Sequence, residues 1–262
     1  MDLLRAVDAN SFYPAYQKII NTETNMVVAY ELLARCELDG EAYYPASFIP
    51  KAKLLNITHE ITLKVLEIAL RDNQYSPTRL NVNFSPDELS LPIISKQLDK
   101  LIAKYRYPKQ LIRLEITETP CHVTWGLFRD NVNKMRLEGW SFSLDDYGIN
   151  NQNLQRLIEL PVSQIKLDRS LLPSDLFNPN PTISASLNQL QKEERLKRLS
   201  IIESIARVTS SANIEVVAEG VETKQVADIL TGLGVTIQQG FYHHRPEPFP
   251  DSLATSLLRT FA

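Results

Sequence analysis

The sequence predicts an α/β fold in which eight β-strands alternate with helices and close into a barrel. Three observations support this class. Eight strand-like segments follow one another, helical patterns fill most of the intervals, and 262 residues suit a single barrel of roughly 250 residues. A doubly wound sheet is disfavoured because no glycine-rich fingerprint follows the first strand, and a phosphate-loop motif is also missing. We therefore interpret residues 1–262 as one domain.

The eight predicted strands are short segments rich in apolar, β-branched and aromatic residues. They are FYPAYQKII (12–20), MVVAYELLAR (26–35), RLNVNFS (79–85), LIRLEITET (111–119), WSFSLDDYG (140–148), SQIKLDRS (163–170), IEVVAEGVE (214–222) and TIQQGFYHH (236–244).

Helical patterns with recognisable starts lie between these strands. Residues 58–73 repeat apolar side chains at the helical period, and Ser85 followed by Pro86 is typical of a helix start. The interval between Asp168 and Ile214 is longer than the others and has room for a proline-rich loop and two helical stretches. We predict an inserted segment at about 171–200, whose charged part, 187–199, is either a solvated helix or an element that docks a protein partner.

Composition restricts the classes of partner. The net charge of −3 and the lack of a basic tract make a nucleic-acid duplex or an anionic membrane a poor partner. The two cysteines, Cys36 and Cys121, match no zinc spacing and are interpreted as free thiols of a reducing compartment. No apolar run approaches the ~18 residues of a membrane span, and the first residues do not resemble a signal peptide. We expect a cytoplasmic protein.

Polar side chains collect toward the C-terminal halves of the strands. Residues two apart on a strand share a face. The polar positions that share a face are Glu31 and Arg35; Asn81, Asn83 and Ser85; Glu115 and Thr117; Ser141, Ser143 and Asp145; Gln164, Lys166 and Asp168; Glu215 and Glu219; and Gln239. A single strand-end carboxylate is usually a helix cap. Seven strands contributing to one rim predict a functional site, because barrel active sites form at this end.

The rim is rich in carboxylates, and two of them are adjacent in the sequence WSFSLDDYGI. The carboxylates are Glu31, Glu115, Asp145, Asp146 and Glu219. They would repel one another unless a cation compensates. Oxygen ligands, with one asparagine and no clustered His or Cys, select Mg²⁺ or Mn²⁺. Five carboxylates exceed the need of one ion, and two ions about 3.5–4 Å apart are the usual device for phosphodiester hydrolysis. We predict two ions bridged by Asp145.

Lys166 has two possible roles. A barrel lysine can form a Schiff base with a carbonyl substrate, which requires an uncharged amine. Here Asp168 lies two residues further on the same face, and the other carboxylates converge nearby, so the ammonium form is favoured. We therefore favour a charged Lys166 that holds the attacking water, with a carboxylate to accept the proton of that water.

The chain resembles the EAL domains, bacterial phosphodiesterases of cyclic di-GMP. The resemblance rests on seven motifs that occur in the same order over about residues 11–250: YELLAR, NVNFS, LEITET, LDDYG, KLDRS, VVAEGVET and QQGFYHHRP. The tripeptide that names the family is Glu31-Leu32-Leu33 in this chain. The resemblance implies a modified TIM (β/α)₈ barrel whose first strand is antiparallel, and hydrolysis of cyclic di-GMP to linear pGpG with two Mg²⁺ or Mn²⁺ ions.

The resemblance also implies roles for individual residues. Glu31, Asn83, Glu115 and Asp145 would bind the first ion, and Asp145, Asp146 and Glu219 would bind the second. Lys166 and Asp168 would position or activate the water, and Gln239 would support the metal–water cluster. Arg35 would meet a substrate phosphate, Gln17 and Leu33 would line the ligand groove, and Glu118 and Glu222 would brace the loop after the fifth strand.

One departure from the family pattern leaves alternatives open. After LDDYG the loop reads Ile149, Asn150, Asn151, Gln152 and Asn153, where active members carry a small hydroxyl residue and a glycine. Ile149 offers no hydroxyl to Glu118, and Asn150 adopts left-handed conformations less readily than glycine. In the family this loop is thought to couple binding of the second metal to formation of a homodimer. The alternatives to an active enzyme are a cyclic di-GMP receptor without turnover and a protein-interaction module that acts through the inserted segment.

Overall fold

The computed structural model of the protein describes residues 1–119, 122–148, 153–173 and 188–249. Cys121, the loop positions Ile149 and Asn150, and much of the predicted insertion at about 171–200 lie outside these ranges.

The strands are β1 (Phe12–Asn21), β2 (Met26–Leu38), β3 (Glu41–Tyr43), β4 (Leu80–Phe84), β5 (Ile112–Ile116), β6 (Ser141–Tyr147), β7 (Gln164–Leu167), β8 (Glu215–Ala218) and β9 (Ile237–Gln238). The helices are α1 (Leu3–Asp8), α2 (Pro45–Leu54), α3 (Thr58–Asp72), α4 (Pro86–Leu89), α5 (Ile94–Tyr105), α6 (Trp125–Leu137), α7 (Asn153–Glu159), α8 (Gln189–Ser211) and α9 (Lys224–Gly232). All eight predicted strands are present, and the short β3 is an addition.

The strands form one mixed sheet in the order β1-β9-β8-β7-β6-β5-β4-β2-β3, and β1 also pairs with β2. The strand order therefore returns to its start, as a barrel requires. Pairing is parallel from β2 to β4, from β4 to β5, and from β6 through β9. In contrast, β1 runs antiparallel to β9. The predicted fold class, an α/β barrel with one antiparallel strand, is confirmed.

The chain divides into two compact units, and each has buried apolar residues of its own. The first contains Met1–Gln17, Ala29–Ser141 and, of the described residues, 246–249; the second contains Lys18–Val28 and Phe142–Arg245. In the first unit the rings of Phe12 and Phe48 meet edge to face at 5.3 Å. In the second unit Leu144, Ile165 and Val217 are buried on three strands.

The helix starts follow local sequence signals. Ser85 caps α4 through a complete capping box with Glu88, with Pro86 in the first turn, as predicted. Helix α3 covers the predicted range and buries Ile61, Val65 and Ala69. Helix α8 is one continuous helix of 23 residues. Residues 174–187 of the same interval lie outside the described residues, so the two helical stretches stay a prediction. Leucine and charged side chains of its first half are mostly exposed, which agrees both with a solvated helix and with an element that docks a partner.

The state of Cys36 and the hydropathy of the helices can be compared with the sequence-based expectations. Cys36 is a free, buried thiol, and burial raises its pKa. Over the described residues, none of the helices combines the length and the hydropathy that crossing a bilayer requires.

Candidate functional site

The first unit contributes a group of acidic and amide side chains from three adjacent parallel strands, β2, β4 and β5. The register places Glu31 of β2 opposite Asn81 of β4, and Asn83 of β4 opposite Glu115 of β5. Because side chains alternate along a strand, Asn81 and Asn83 share a face. The Nδ2 atom of Asn83 donates a hydrogen bond of 2.7 Å to Glu31 Oε1, and Nδ2 of Asn81 donates one of 2.8 Å to Glu115 Oε1.

Burial makes these contacts energetically important. Glu31 is 5% exposed, and both Asn81 and Glu115 are 0% exposed. A buried carboxylate is costly unless hydrogen bonds or cations compensate its charge. The carboxylates of Glu31 and Glu115 each accept a hydrogen bond from an asparagine amide N–H. Among the described residues, Asn83 Oδ1 is a buried acceptor with no hydrogen-bond donor. A divalent cation would satisfy this oxygen, so the residues fit a metal site of the kind predicted.

The second unit contributes a carboxylate cluster that can hold a metal ion. Asp145, Asp146 and Glu219 each offer a carboxylate oxygen, and these atoms lie within 4.8 Å of one another. Adjacent residues of a regular strand point to opposite faces, so Asp145 and Asp146 would not converge in an ideal β6. The register of β6 against β7 shifts between Leu144 and Tyr147, and Asp146 has a left-handed φ of 52°. This bulge allows both aspartates to face the same site.

Lys166 of β7 lies among these carboxylates. Its Nζ atom lies 2.6 Å from Glu219 Oε1 and 3.0 Å from Asp145 Oδ1, and its side chain is 1% exposed. Because the buried Nζ atom of Lys166 forms two ion pairs, its charged ammonium form is favoured. This geometry supports a lysine that donates hydrogen bonds, and it disfavours a Schiff-base nucleophile.

Asp168 and Gln239 belong to the same unit as this cluster. Asp168 Oδ1 accepts the backbone N–H of Ser170 at 2.7 Å and caps the 3₁₀ turn Arg169–Leu171. Gln239 is buried, and its backbone N–H donates to the Ala218 carbonyl at 2.8 Å. The following Gly240 lies so close to Val221 that a Cβ atom would be 2.1 Å from the Val221 carbonyl oxygen. The segments AEGVE and QQGFY are therefore spatial neighbours.

The residues predicted to meet substrate lie in the first unit. Arg35 Nη1 donates to the Ala34 carbonyl at 2.9 Å, and its guanidinium lies 5.3 Å from the centre of the Tyr44 ring. Burial lowers the pKa of Arg35, and the nearby Tyr44 opposes this shift. The group remains a cation at neutral pH, because the ordinary pKa of arginine exceeds 12. Gln17 is buried and Leu33 is half-buried.

Of the two glutamates predicted to brace the loop after the fifth strand, Glu222 forms an ion pair of 2.6 Å with Arg169, and Glu118 is half-buried. The loop itself, 149–152, is outside the described residues.

Two contacts were not predicted from the sequence. The sequence places Asn81 on the same face as Asn83 but assigns it no role, and it gives no role to Tyr44. The period-2 position of Asn81 indicates its face, but only the pairing of β4 with β5 identifies Glu115 as its acceptor. For Tyr44 the sequence offers only a tyrosine nine residues after the predicted phosphate-binding Arg35.

Known proteins similar to this chain include cyclic di-GMP phosphodiesterases. Cyclic di-GMP phosphodiesterase RocR of Pseudomonas aeruginosa is 25% identical over 253 residues, which are 94% of this chain and 60% of the relative. Probable cyclic di-GMP phosphodiesterase PdeA of Escherichia coli K12 is 29% identical over 226 residues, 84% of this chain and 29% of the relative. The chain thus spans 60% or less of the length of both relatives.

Solved structures show the same fold. The EAL enzyme Bd1971, in a form bound to cAMP and cyclic di-GMP, superposes with a TM-score of 0.81 at 24% identity, over 97% of this chain and 66% of that one. The sequence model described as "EAL domain" matches residues 1–246. The chain therefore belongs to the EAL domain family.

Proposed function

We propose that this protein is a phosphodiesterase that hydrolyses cyclic di-GMP to linear pGpG with two Mg²⁺ or Mn²⁺ ions. Membership of the EAL domain family and the phosphodiesterase activity for which its relatives are named support this proposal. The observation that carries it is the convergence of Asp145, Asp146 and Glu219 around Lys166. Carboxylate and amide oxygens are the ligands that these hard cations prefer.

The proposed ligands follow the sequence-based expectation. Glu31, Asn83, Glu115 and Asp145 bind one ion, and Asp145, Asp146 and Glu219 bind the other. Bound ions of this kind neutralise phosphate charge and lower the pKa of a coordinated water. The buried acceptor Asn83 Oδ1 supports the first set, and the short distances among carboxylate oxygens support the second.

In the proposed reaction, a water oxygen attacks a phosphorus of the cyclic dinucleotide, the bond from phosphorus to the 3′ oxygen breaks, and that oxygen takes a proton from solvent to become the 3′-hydroxyl of pGpG. Lys166 donates a hydrogen bond that orients the water. Asp168 accepts the water proton through the carboxylate oxygen that does not cap Ser170. Arg35 holds a phosphate oxygen, Gln17 and Leu33 line the groove, and Gln239 supports the water cluster.

Chromatography of cyclic di-GMP incubated with Mn²⁺ and protein tests this function. We expect pGpG from the wild type and none from Glu31→Ala, whereas Glu60→Ala, at an exposed glutamate of α3, retains full activity. Intact cyclic di-GMP with the wild type would contradict the proposal, and equal product from Glu31→Ala would contradict the assigned centre.

A receptor without turnover is the second candidate, and the sequence of the loop at Ile149 and Asn150 favours it. It predicts calorimetric binding of cyclic di-GMP without pGpG formation. A protein-interaction module would show no binding of the dinucleotide even with metal.

We also propose that residues 1–262 form one cytoplasmic domain and that the chain forms a homodimer. A third proposal is that the segment 171–200 docks a protein partner. Leu190 and Leu196, 76% and 64% exposed, support the docking role. Light scattering after gel filtration tests the homodimer, since the mass should be twice that of the chain.

A further inference from the structure

Two amide side chains of β4 donate hydrogen bonds to carboxylates on the two strands that neighbour it, β2 and β5. Asn83 donates to Glu31 on β2, and Asn81 donates to Glu115 on β5. Both amides lie on the same face and are two residues apart, which corresponds to about 6.5 Å along a strand. One strand thus orients a carboxylate on each side.

Asn81 contacts Glu115 from a position two residues before Asn83, toward the N-terminal end of β4. Glu115 lies in register with Asn83, whereas Asn81 lies in register with Arg113. The amide of Asn81 therefore approaches the glutamate from the side of the N-terminal strand ends. Asn83 Oδ1, on the residue in register with Glu115, is buried without a donor among the described residues.

Complete burial makes the contact a strong constraint on Glu115. Both side chains are 0% exposed, and the hydrogen bond is 2.8 Å long. Groups that orient a metal ligand in this way commonly change metal affinity about 10–100-fold when removed.

We propose that Asn81 is a positioning residue that orients the Glu115 carboxylate for metal binding. The inference rests on the proposed function, because it takes Glu115 to be a metal ligand. Asn81 does not touch substrate or the ion; it acts only through the carboxylate that it contacts.

Mn²⁺ titration followed by electron paramagnetic resonance, which reports free Mn²⁺ directly, tests the proposal without substrate. We expect Asn81→Ala to raise the Kd of the affected ion about 10–100-fold. At saturating Mn²⁺, the KM for cyclic di-GMP should stay within about twofold of the wild type, because the residue does not contact substrate. If Asn81→Ala does not fold, Asn81→Ser is measured with the same expectation.

Asn73→Ala is the matched control. Asn73 is also a buried asparagine of the first unit, 1% exposed, and its Nδ2 donates to the Ala69 carbonyl at 2.8 Å. It should lower the thermal midpoint without changing the Kd for Mn²⁺. An equal loss of Mn²⁺ affinity in Asn73→Ala and Asn81→Ala would overturn the positioning role in favour of a general structural effect.

Glu115→Gln separates this inference from the proposed function. Weaker Mn²⁺ binding in both Glu115→Gln and Asn81→Ala supports both. Weaker binding in Glu115→Gln alone overturns the role of Asn81 and keeps the ligand assignment. Unchanged binding in both variants overturns the ligand assignment and the positioning role together.

Discussion

Lys166 of β7 and Glu219, the residue directly after β8, form an ion pair in which Nζ lies 2.6 Å from Oε1. Asp145 lies on the other side of the ammonium at 3.0 Å. The buried ammonium of Lys166 therefore offsets part of the negative charge of the acidic cluster.

Lys166→Met should destabilise the metal-free protein and remove most of its activity. Removing one partner of a buried ion pair costs about 3–5 kcal/mol. Loss of the group that orients the water should lower kcat about 10²–10³-fold. Thermal unfolding should show a larger Mg²⁺-induced rise in the melting temperature than in the wild type, because the ion replaces the lost positive charge.

The control for this prediction is Lys224→Met, which removes an exposed lysine paired with Asp228 at 2.6 Å. It should change neither activity nor the response to Mg²⁺. An equal Mg²⁺ response in Lys166→Met and the wild type would mean that Lys166 does not compensate the cluster.

Asp146→Asn should reduce the number of tightly bound Mn²⁺ ions by one without destabilising the metal-free fold. Asparagine tolerates the left-handed φ of 52° at this position, but it lacks the charge. Asp146→Val should lose the same ion and also destabilise the protein by about 1–2 kcal/mol, because a β-branched residue is strained in this conformation. Equal urea midpoints for the two variants would contradict the role of the bulge.

Gly240→Ala should destabilise the protein and reduce activity. The added Cβ would lie 2.1 Å from the Val221 carbonyl oxygen, so the backbone that carries Gln239 must move. Overpacking of this kind costs about 1–3 kcal/mol. Gly232→Ala is the matched control, because nothing lies within 4 Å of its added Cβ. We expect Gly232→Ala to be neutral or slightly stabilising, and comparable melting temperatures for both variants would rule out the close approach.

His243 should make stability decrease at acidic pH. Burial lowers the pKa of this imidazole below the ordinary 6.5, so the folded state disfavours its protonation. The unfolded chain binds the proton more readily, and stability is therefore complete above pH 6.5 and is lost as pH falls from there through the lower folded pKa. His243→Gln should reduce this loss in urea unfolding measured between pH 7 and pH 5. Parallel pH curves for the two proteins would contradict the prediction.

The sequence alone determined the order of the elements and the faces of most site residues. Period-2 alternation predicted that Glu31, Asn83, Glu115 and Lys166 lie on strands, because that period is a property of the extended backbone itself. The motifs that resemble EAL domains then identified the family, which the match over residues 1–246 confirms.

Only the tertiary structure decided how two pairs of side chains come together. Regular alternation would separate Asp145 from Asp146, and a bulge that brings them together depends on the neighbouring strand β7. The same holds for Asn81 and Glu115, which are 34 residues apart and meet because β4 and β5 pair in one register. Local sequence fixes the direction of a side chain relative to its own strand, whereas strand pairing brings side chains that are distant in sequence into contact.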